Sequence, residues 1–338
     1  MKAYQLATAS PGTEAWQLRD LPKPNPGPGQ VLVKIEAVSL NYRDLMVAKG
    51  TYGGKIRDGL IPLSDGAGTI AELGEGVTDW KIGDRVTSCF FATWAAGPIE
   101  ARHQKQALGG TVDGVAAEYV ALNAGAVMKI PAHLSFEEAS TLPCAGLTAW
   151  HAIFETGLTL APGSTLLTQG TGGVSTFALL FAKLAGLTVI STSSSDEKLK
   201  RMEALGADAL INYKTHPAWD AEVWRLSSAR GVDQVVEVGG AGTLPLSLKA
   251  CAPNAKVSVI GVLSGATEGV NPAPILQRSL RVQGIYVGSA EMFGRMNRAI
   301  EANKLKPVID EVIPFTEARS ALLKMESGGH FGKIVLKL

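Results

Sequence analysis

Thr168-Gln169-Gly170-Thr171-Gly172-Gly173-Val174-Ser175 joins an apolar, strand-like run over residues 164–168 to a helical pattern over residues 174–184. Gly170 and Gly172 let the backbone turn tightly and come close to a pyrophosphate, whose charge is met by backbone N–H groups and the positive end of the helix dipole. Ser175 stands where the third glycine of this fingerprint falls. Two glycines alone fit an ordinary turn, so the elements downstream of the loop decide. Further strands are predicted over 187–192, 209–212, 233–238 and 256–260, with a helix over 196–205. That βαβαβ rhythm predicts an α/β, doubly wound parallel sheet that holds a dinucleotide.

The rest of the chain is long enough for a second core. It has 338 residues, and its 32 lysines and arginines nearly balance 31 aspartates and glutamates. Such a balance creates no global field for nucleic acid or an acidic membrane, so neither is expected as a partner. The start, Met1-Lys2-Ala3-Tyr4, runs directly into strand-like sequence without a signal-like core, which predicts a cytoplasmic protein. Cys89, Cys144 and Cys251 are too scattered for a disulfide framework and read as buried thiols.

Before the glycine loop the pattern is different. The turn-rich stretch from Leu21 to Gly29 precedes Val31-Leu-Val-Lys-Ile-Glu-Ala-Val38, which alternates as a half-buried strand does. More short strands are predicted over 68–73, 85–90 and 117–122, separated by glycine turns, and together they predict a β body of barrel type. Ser135 with Glu138 forms a capping-box pattern, and a helix over 144–156 is predicted to lead into the glycine loop. A sixth strand over 281–287, a helix over 291–303 and strands over 308–313 and 333–338 complete the pattern.

In this order the motifs resemble the medium-chain dehydrogenase/reductase superfamily, and within it the zinc-free quinone oxidoreductase-like branch. The matching pieces span essentially the whole chain: Pro28-Gly29-Gln-Val-Leu-Val33, Ser39-Leu-Asn41-Tyr-Arg-Asp44, Gly66-Ala-Gly68, Gly83-Asp84-Arg-Val86, Leu142-Pro143 with Gly146-Leu-Thr-Ala149, the glycine loop, Leu205-Gly-Ala207, Gly231-Val-Asp233 and His330-Phe-Gly-Lys-Ile-Val335. The resemblance implies a GroES-like β-barrel domain over 1–130 and 305–338, which carries substrate and catalysis, and a Rossmann nucleotide-binding domain over 131–304. It also implies an active site in the cleft between them. Zinc-dependent members carry cysteine at the position of Asn41, a histidine-glutamate pair at Ser64-Asp65 and a further ligand at Cys144. The four-cysteine lobe for a structural zinc has no counterpart, because residues 91–110 hold no cysteine. Asp65 and Cys144 remain as half a site, which His103, His133 or His151 would have to complete. The expectation is no zinc.

Without a Lewis acid, reduction of an isolated ketone is harder, whereas hydride addition to an enone or quinone moves charge onto an oxygen that hydrogen-bond donors can stabilise. The resemblance makes Asn41 the candidate donor to the substrate oxygen or the nicotinamide ribose, Tyr52 a candidate proton donor, and Asp44 an orienting group. An ordinary packed tyrosine on the glycine-flanked turn is the competing reading of Tyr52.

NAD-specific sites place a carboxylate after the second strand, and this chain has Thr192, Ser193 and Ser194 there, with Lys198 nearby. That favours NADPH over NADH. The glycine loop and the serine turn make Gly170, Thr171, Gly172, Gly173, Val174, Thr192, Ser193, Ser194 and Lys198 expected cofactor-binding residues, and the family resemblance implies Thr148, Tyr213, Gly239, Val262, Leu263, Val287, Gly288 and Lys333 as well. Plain strand-end turns are the alternative for the glycines, and a surface position is the alternative for both lysines. The resulting expectation is an NADPH-dependent oxidoreductase that reduces a quinone or α,β-unsaturated carbonyl. Two alternatives stay open: an alcohol dehydrogenase or carbonyl reductase of the same superfamily, and a nucleotide-binding protein with little catalysis. The edge strand over 281–287 adds the expectation of a homodimer joined through its sheets. Substrate choice depends on loops over 90–110 and 265–274, which carry no readable motif.

Overall fold

The computed structural model describes residues 1–158, 160–265 and 269–338, so part of the 265–274 loop lies outside the described residues. Two compact units form: Met1–Leu147 with Val287–Leu338, and Thr148–Tyr286.

The first unit is organised by one long strand, Gln30–Ser39, whose alternating apolar residues are buried. One edge of it pairs antiparallel with Asp65–Leu73. Its other edge is shared, Gln30 to Lys34 pairing with Tyr119–Asn123 and Ala37 to Ser39 with Lys333–Lys337. The sheet continues through Arg85–Ser88 and Val127–Lys129 at one end and Ile309–Pro314 at the other, six strands along its main path with Tyr119–Asn123 as a seventh beside it. Crossing of the strands is close at Gly68, where a Cβ would lie 1.9 Å from the Lys34 carbonyl oxygen, so no other residue fits. The C-terminal strand Lys333–Lys337 thus inserts beside residues from the start of the chain. Tyr4, Trp16, Val33, Val86, Phe315 and Leu336 belong to the core it closes.

The second unit is a six-stranded, all-parallel sheet in the order Ala209–Asn212, Thr188–Ser193, Thr165–Gln169, Val232–Glu237, Cys251–Val259, Arg281–Gly284. Strand order reverses between Thr165–Gln169 and Val232–Glu237, and open α/β sheets bind ligands at the carboxyl ends of the strands at such a point. Leu167, Ile190, Val235 and Val257 form the centre of its core.

Several boundaries differ from those expected. The crossings between units fall at 147/148 and 286/287, not at 130/131 and 304/305. Phe136–Ser140 packs on the Gln30–Ser39 and Asp65–Leu73 strands, and Ala290–Asn303 packs on Val127–Lys129, with Asn297 Nδ2 donating to the Lys129 carbonyl at 2.9 Å. Tertiary packing therefore draws these helices into the first unit. The Ser135 capping box forms as expected, but the helix after it is interrupted by a wide turn at Leu142–Gly146 and resumes as Leu147–Phe154. The sixth strand stops at Gly284, and Val287 sits at φ +55°, which a strand cannot accommodate. Cys89 and Cys251 are buried and Cys144 only half-buried. Among the described residues no helix is long and apolar enough to cross a membrane.

Candidate active site

In the second unit, Gly170 has φ +69° and its N–H donates to the Thr192 carbonyl at 2.8 Å, tying the glycine turn to the end of the neighbouring strand. A Cβ on Gly170 or Gly172 would meet nothing within 4 Å, so the bare backbone here faces open space. The helix Gly173–Leu184 has no side-chain cap, which leaves first-turn N–H groups for an anion. Ser175 Oγ donates to the Gln169 carbonyl at 2.6 Å and so braces the turn from inside. These features fit a pyrophosphate.

At the end of the next strand Thr192 and Ser193 are buried, and Ser193 Oγ accepts the Ser195 N–H at 3.3 Å. Ser195 caps the helix Asp196–Ala204 by accepting the Lys198 N–H. The nearest carboxylate, Asp196, is tied to Asn212 Nδ2 at 2.7 Å. Tyr213, exposed, comes directly after the adjacent strand, whose end Asn212 pairs with Ser193. Thr148 and Thr171 are buried, while Val262 and Leu263 are exposed as apolar residues after the fifth strand of the unit.

Sequence reasoning missed Glu237. Its buried carboxylate accepts Gly239 N–H at 2.8 Å, Gly240 N–H at 2.9 Å and Thr243 Oγ1 at 2.5 Å on one oxygen. The other oxygen accepts Gln169 Nε2 at 2.8 Å and Ser247 Oγ. Five donors balance a charge removed from water, and they bind together the two strand ends that flank the reversal of strand order. Gly240, at φ +87° and with its absent Cβ only 2.7 Å from the Gly265 carbonyl oxygen, can only be glycine.

The first unit brings Asn41, Arg43, Asp44, Tyr52 and Lys333 together. Asn41 precedes the short helix Tyr42–Ala48, and the Asp44 carboxylate accepts the Asn41 N–H at 2.7 Å. Asp44 also receives Arg43 Nη2 at 3.2 Å, so it orients both neighbours. Burial pushes the Asp44 carboxyl above the usual range, against the pull of Arg43 and the Asn41 N–H. Lys333 is not a surface lysine: its buried ammonium donates to the Leu40 carbonyl at 2.5 Å and to Asn41 Oδ1 at 2.6 Å, so two of its three donors are engaged inside the unit. An ammonium only donates. The Asn41 amide oxygen must therefore face it, leaving Asn41 Nδ2 as a buried donor without a partner among the described residues. The Tyr52 ring lies 5.7 Å from the Arg43 guanidinium carbon. Val287 and Gly288 belong to this unit, and a Cβ on Gly288 would lie 2.8 Å from Leu147 Cγ, so glycine there permits close packing.

The positions that hold zinc in metal-dependent relatives do not suit a cation here. Asn41 Oδ1 is held by the Lys333 ammonium, and Ser64 Oγ donates to Asp65 Oδ1 at 2.6 Å. Asp65 Oδ2 accepts the Cys144 N–H at 3.1 Å, while burial and then the Asp65 charge push the Cys144 thiol up to about 12. A resident positive charge beside a neutral amide and a hydroxyl is a poor donor set for zinc. Among the described residues no group of three or more histidine, cysteine, aspartate or glutamate side chains is placed to hold a metal ion.

Comparison with known proteins defines the class. Residues 27–132 match the family model for the alcohol dehydrogenase GroES-like domain, and residues 173–302 match the one for zinc-binding dehydrogenases. The chain belongs to the medium-chain dehydrogenase/reductase superfamily of oxidoreductases. A zinc-type alcohol dehydrogenase-like protein of Schizosaccharomyces pombe is 44% identical over 318 residues, covering 92% of this chain and 91% of that protein. A quinone oxidoreductase of Rattus norvegicus is 29% identical, covering 97% and 95%. Among solved structures, an NAD-dependent alcohol dehydrogenase is 35% identical with a TM-score of 0.91, each chain covered in full at 100%. A mycobacterial protein solved with NADPH is 26% identical with a TM-score of 0.83, again with 100% of each chain covered.

Proposed function

We propose that this oxidoreductase reduces a quinone or an α,β-unsaturated carbonyl compound with NADPH and without zinc. The observation that carries the reading is the Lys333–Asn41 pair: the ammonium claims the amide oxygen and leaves Asn41 Nδ2 as a buried donor where a metal-dependent relative has a ligand. When bound, the nicotinamide supplies a hydride to the substrate carbon. The Asn41 amide then stabilises the charge that develops on the substrate oxygen, and Tyr52 supplies the proton that completes reduction. Asp44 holds the Asn41 backbone, and Lys333 holds its side chain.

Turnover of NADPH with a panel of small enones and quinones, measured with elemental analysis of the purified protein, tests this. Activity should survive chelators with far less than one zinc per chain. Stoichiometric zinc lost together with activity would sink the zinc-free assignment, and NADP reduction by alcohols without enone turnover would establish the alcohol dehydrogenase alternative.

The serine turn carries the cofactor preference. NADPH is expected to bind at least about tenfold tighter than NADH, roughly 1.4 kcal/mol. Buried Ser193 ends the strand without a carboxylate, and Asp196 is occupied by Asn212. Ser193→Asp should shift preference toward NADH, because the added charge repels a 2′-phosphate and offers a ribose hydroxyl an acceptor. Equal affinities in a fluorescence titration of the parent protein would mean that this turn reads no phosphate.

Assembly is a further part of the proposal. Arg281–Gly284 ends the strand order of the parallel sheet and all four of its residues are exposed, which leaves an edge to be covered. A homodimer joined there is expected in light scattering. Only monomer at micromolar concentration would contradict it.

A further inference from the structure

Arg43 is engaged at only one of its three nitrogens. Nη2 donates to the Leu108 carbonyl at 2.8 Å and to Asp44 Oδ1 at 3.2 Å, whereas Nε and Nη1 are buried and meet no acceptor among the described residues. The guanidinium carbon lies 4.4 Å from the centre of the Phe90 ring, and Asp44 offsets its charge. Gly110 stands beside Nη1: a Cβ on it would lie 3.6 Å from Arg43 Nη1 and 3.9 Å from Tyr52 Cε1. A second unpartnered buried donor, Asn41 Nδ2, belongs to the same cluster, linked to Arg43 through Asp44. Buried donors of this kind are normally satisfied in the state for which the site is built.

We propose that Arg43 is a catalytic residue whose Nη1, opposite Gly110, receives the carbonyl oxygen of the substrate alongside Asn41 Nδ2. The inference rests on the enone and quinone reading of the site. For an enone, hydride adds to the β-carbon, the C=C π pair moves to make an enolate, and negative charge gathers on the oxygen that Arg43 holds. The Tyr52 phenol then gives its proton to the α-carbon and is reprotonated from water, and the C=O bond re-forms. A charged N–H donor strengthens its bond as that charge grows, so its help is greater in the transition state than in the bound substrate.

Two measurements on Arg43→Lys test this. With the best enone or quinone, turnover should fall on the order of a hundredfold, as removal of one such donor does, with NADPH affinity within about twofold of the parent. The second uses 4-nitrophenol with NADP⁺-loaded protein, because its absorbance reports whether its oxygen is ionised. Bound to the parent, it should ionise at lower pH than in water, and Arg43→Lys should remove most of that shift. Gly110→Ala, whose φ is not left-handed, should weaken nitrophenolate binding at least about fivefold with Arg43 intact, by about 1 kcal/mol, and it keeps the proposal testable if Arg43→Lys fails to fold. If no enone or quinone is turned over, an Arg43-dependent shift still establishes the oxyanion site while the reaction assignment fails. Arg43→Lys with parental turnover, or nitrophenol whose ionisation the parent does not shift, overturns it.

Discussion

Asn41→Ala is expected to lower turnover of an enone or quinone by roughly two to three orders of magnitude, the usual cost of removing a preorganised donor to a developing oxyanion. The reason is geometric. Lys333 fixes the amide with Oδ1 toward its ammonium at 2.6 Å, so Nδ2 is already directed before substrate arrives and no reorganisation accompanies the reaction. Alanine also takes an acceptor from a buried ammonium, which would then keep only the Leu40 carbonyl, and some loss of stability should accompany the loss of rate. Asn41→Asp separates the two effects. A carboxylate continues to satisfy Lys333 but offers no donor, so thermal unfolding should stay close to the parent while turnover falls as far as in the alanine variant. Near-parental turnover in Asn41→Asp would show that the Asn41 amide does not meet the substrate oxygen.

Tyr52→Phe carries the next largest expected effect, a fall in turnover of about a hundredfold with NADPH binding nearly unchanged, which is the typical scale of general-acid help. Tyr52 is half-buried and packs against the apolar core of the first unit, and its ring lies beside Arg43 and across from Gly110. Phenylalanine preserves that packing and removes the hydroxyl alone. A solvent isotope effect should rise in the variant as protonation becomes slower than hydride transfer. If the residue only shapes the pocket, phenylalanine will leave turnover unchanged and move substrate affinity instead.

The nucleotide-binding unit was legible from spacing. Closely spaced glycines between a strand and a helix, with further strands at regular intervals, yield the parallel sheet because each step depends on neighbours a few residues apart. The Ser135–Glu138 cap was legible for the same reason, since its two hydrogen bonds span three residues. The boundaries between units were not. Helices Phe136–Ser140 and Ala290–Asn303 carry no mark of which core they join, and packing against the strands of the first unit decides it.

The sequence by itself determined the glycine loop, the serine turn without a carboxylate and the two-part α/β organisation, and the family resemblance added that Asn41 and Ser64 stand where metal-dependent relatives carry ligands. It placed Asn41, Asp44 and Tyr52 among the candidates without saying what each would face. Only the tertiary structure decided that Lys333 is a buried partner of Leu40 and Asn41, 293 and 292 residues away along the chain, and that Arg43 keeps two buried nitrogens without acceptors. The same holds for Glu237, whose partners include Gln169 on another strand, 68 residues earlier. Local spacing sets backbone conformation, but what a polar side chain does in a low-dielectric interior depends on which donors and acceptors the fold brings within about 3 Å of it.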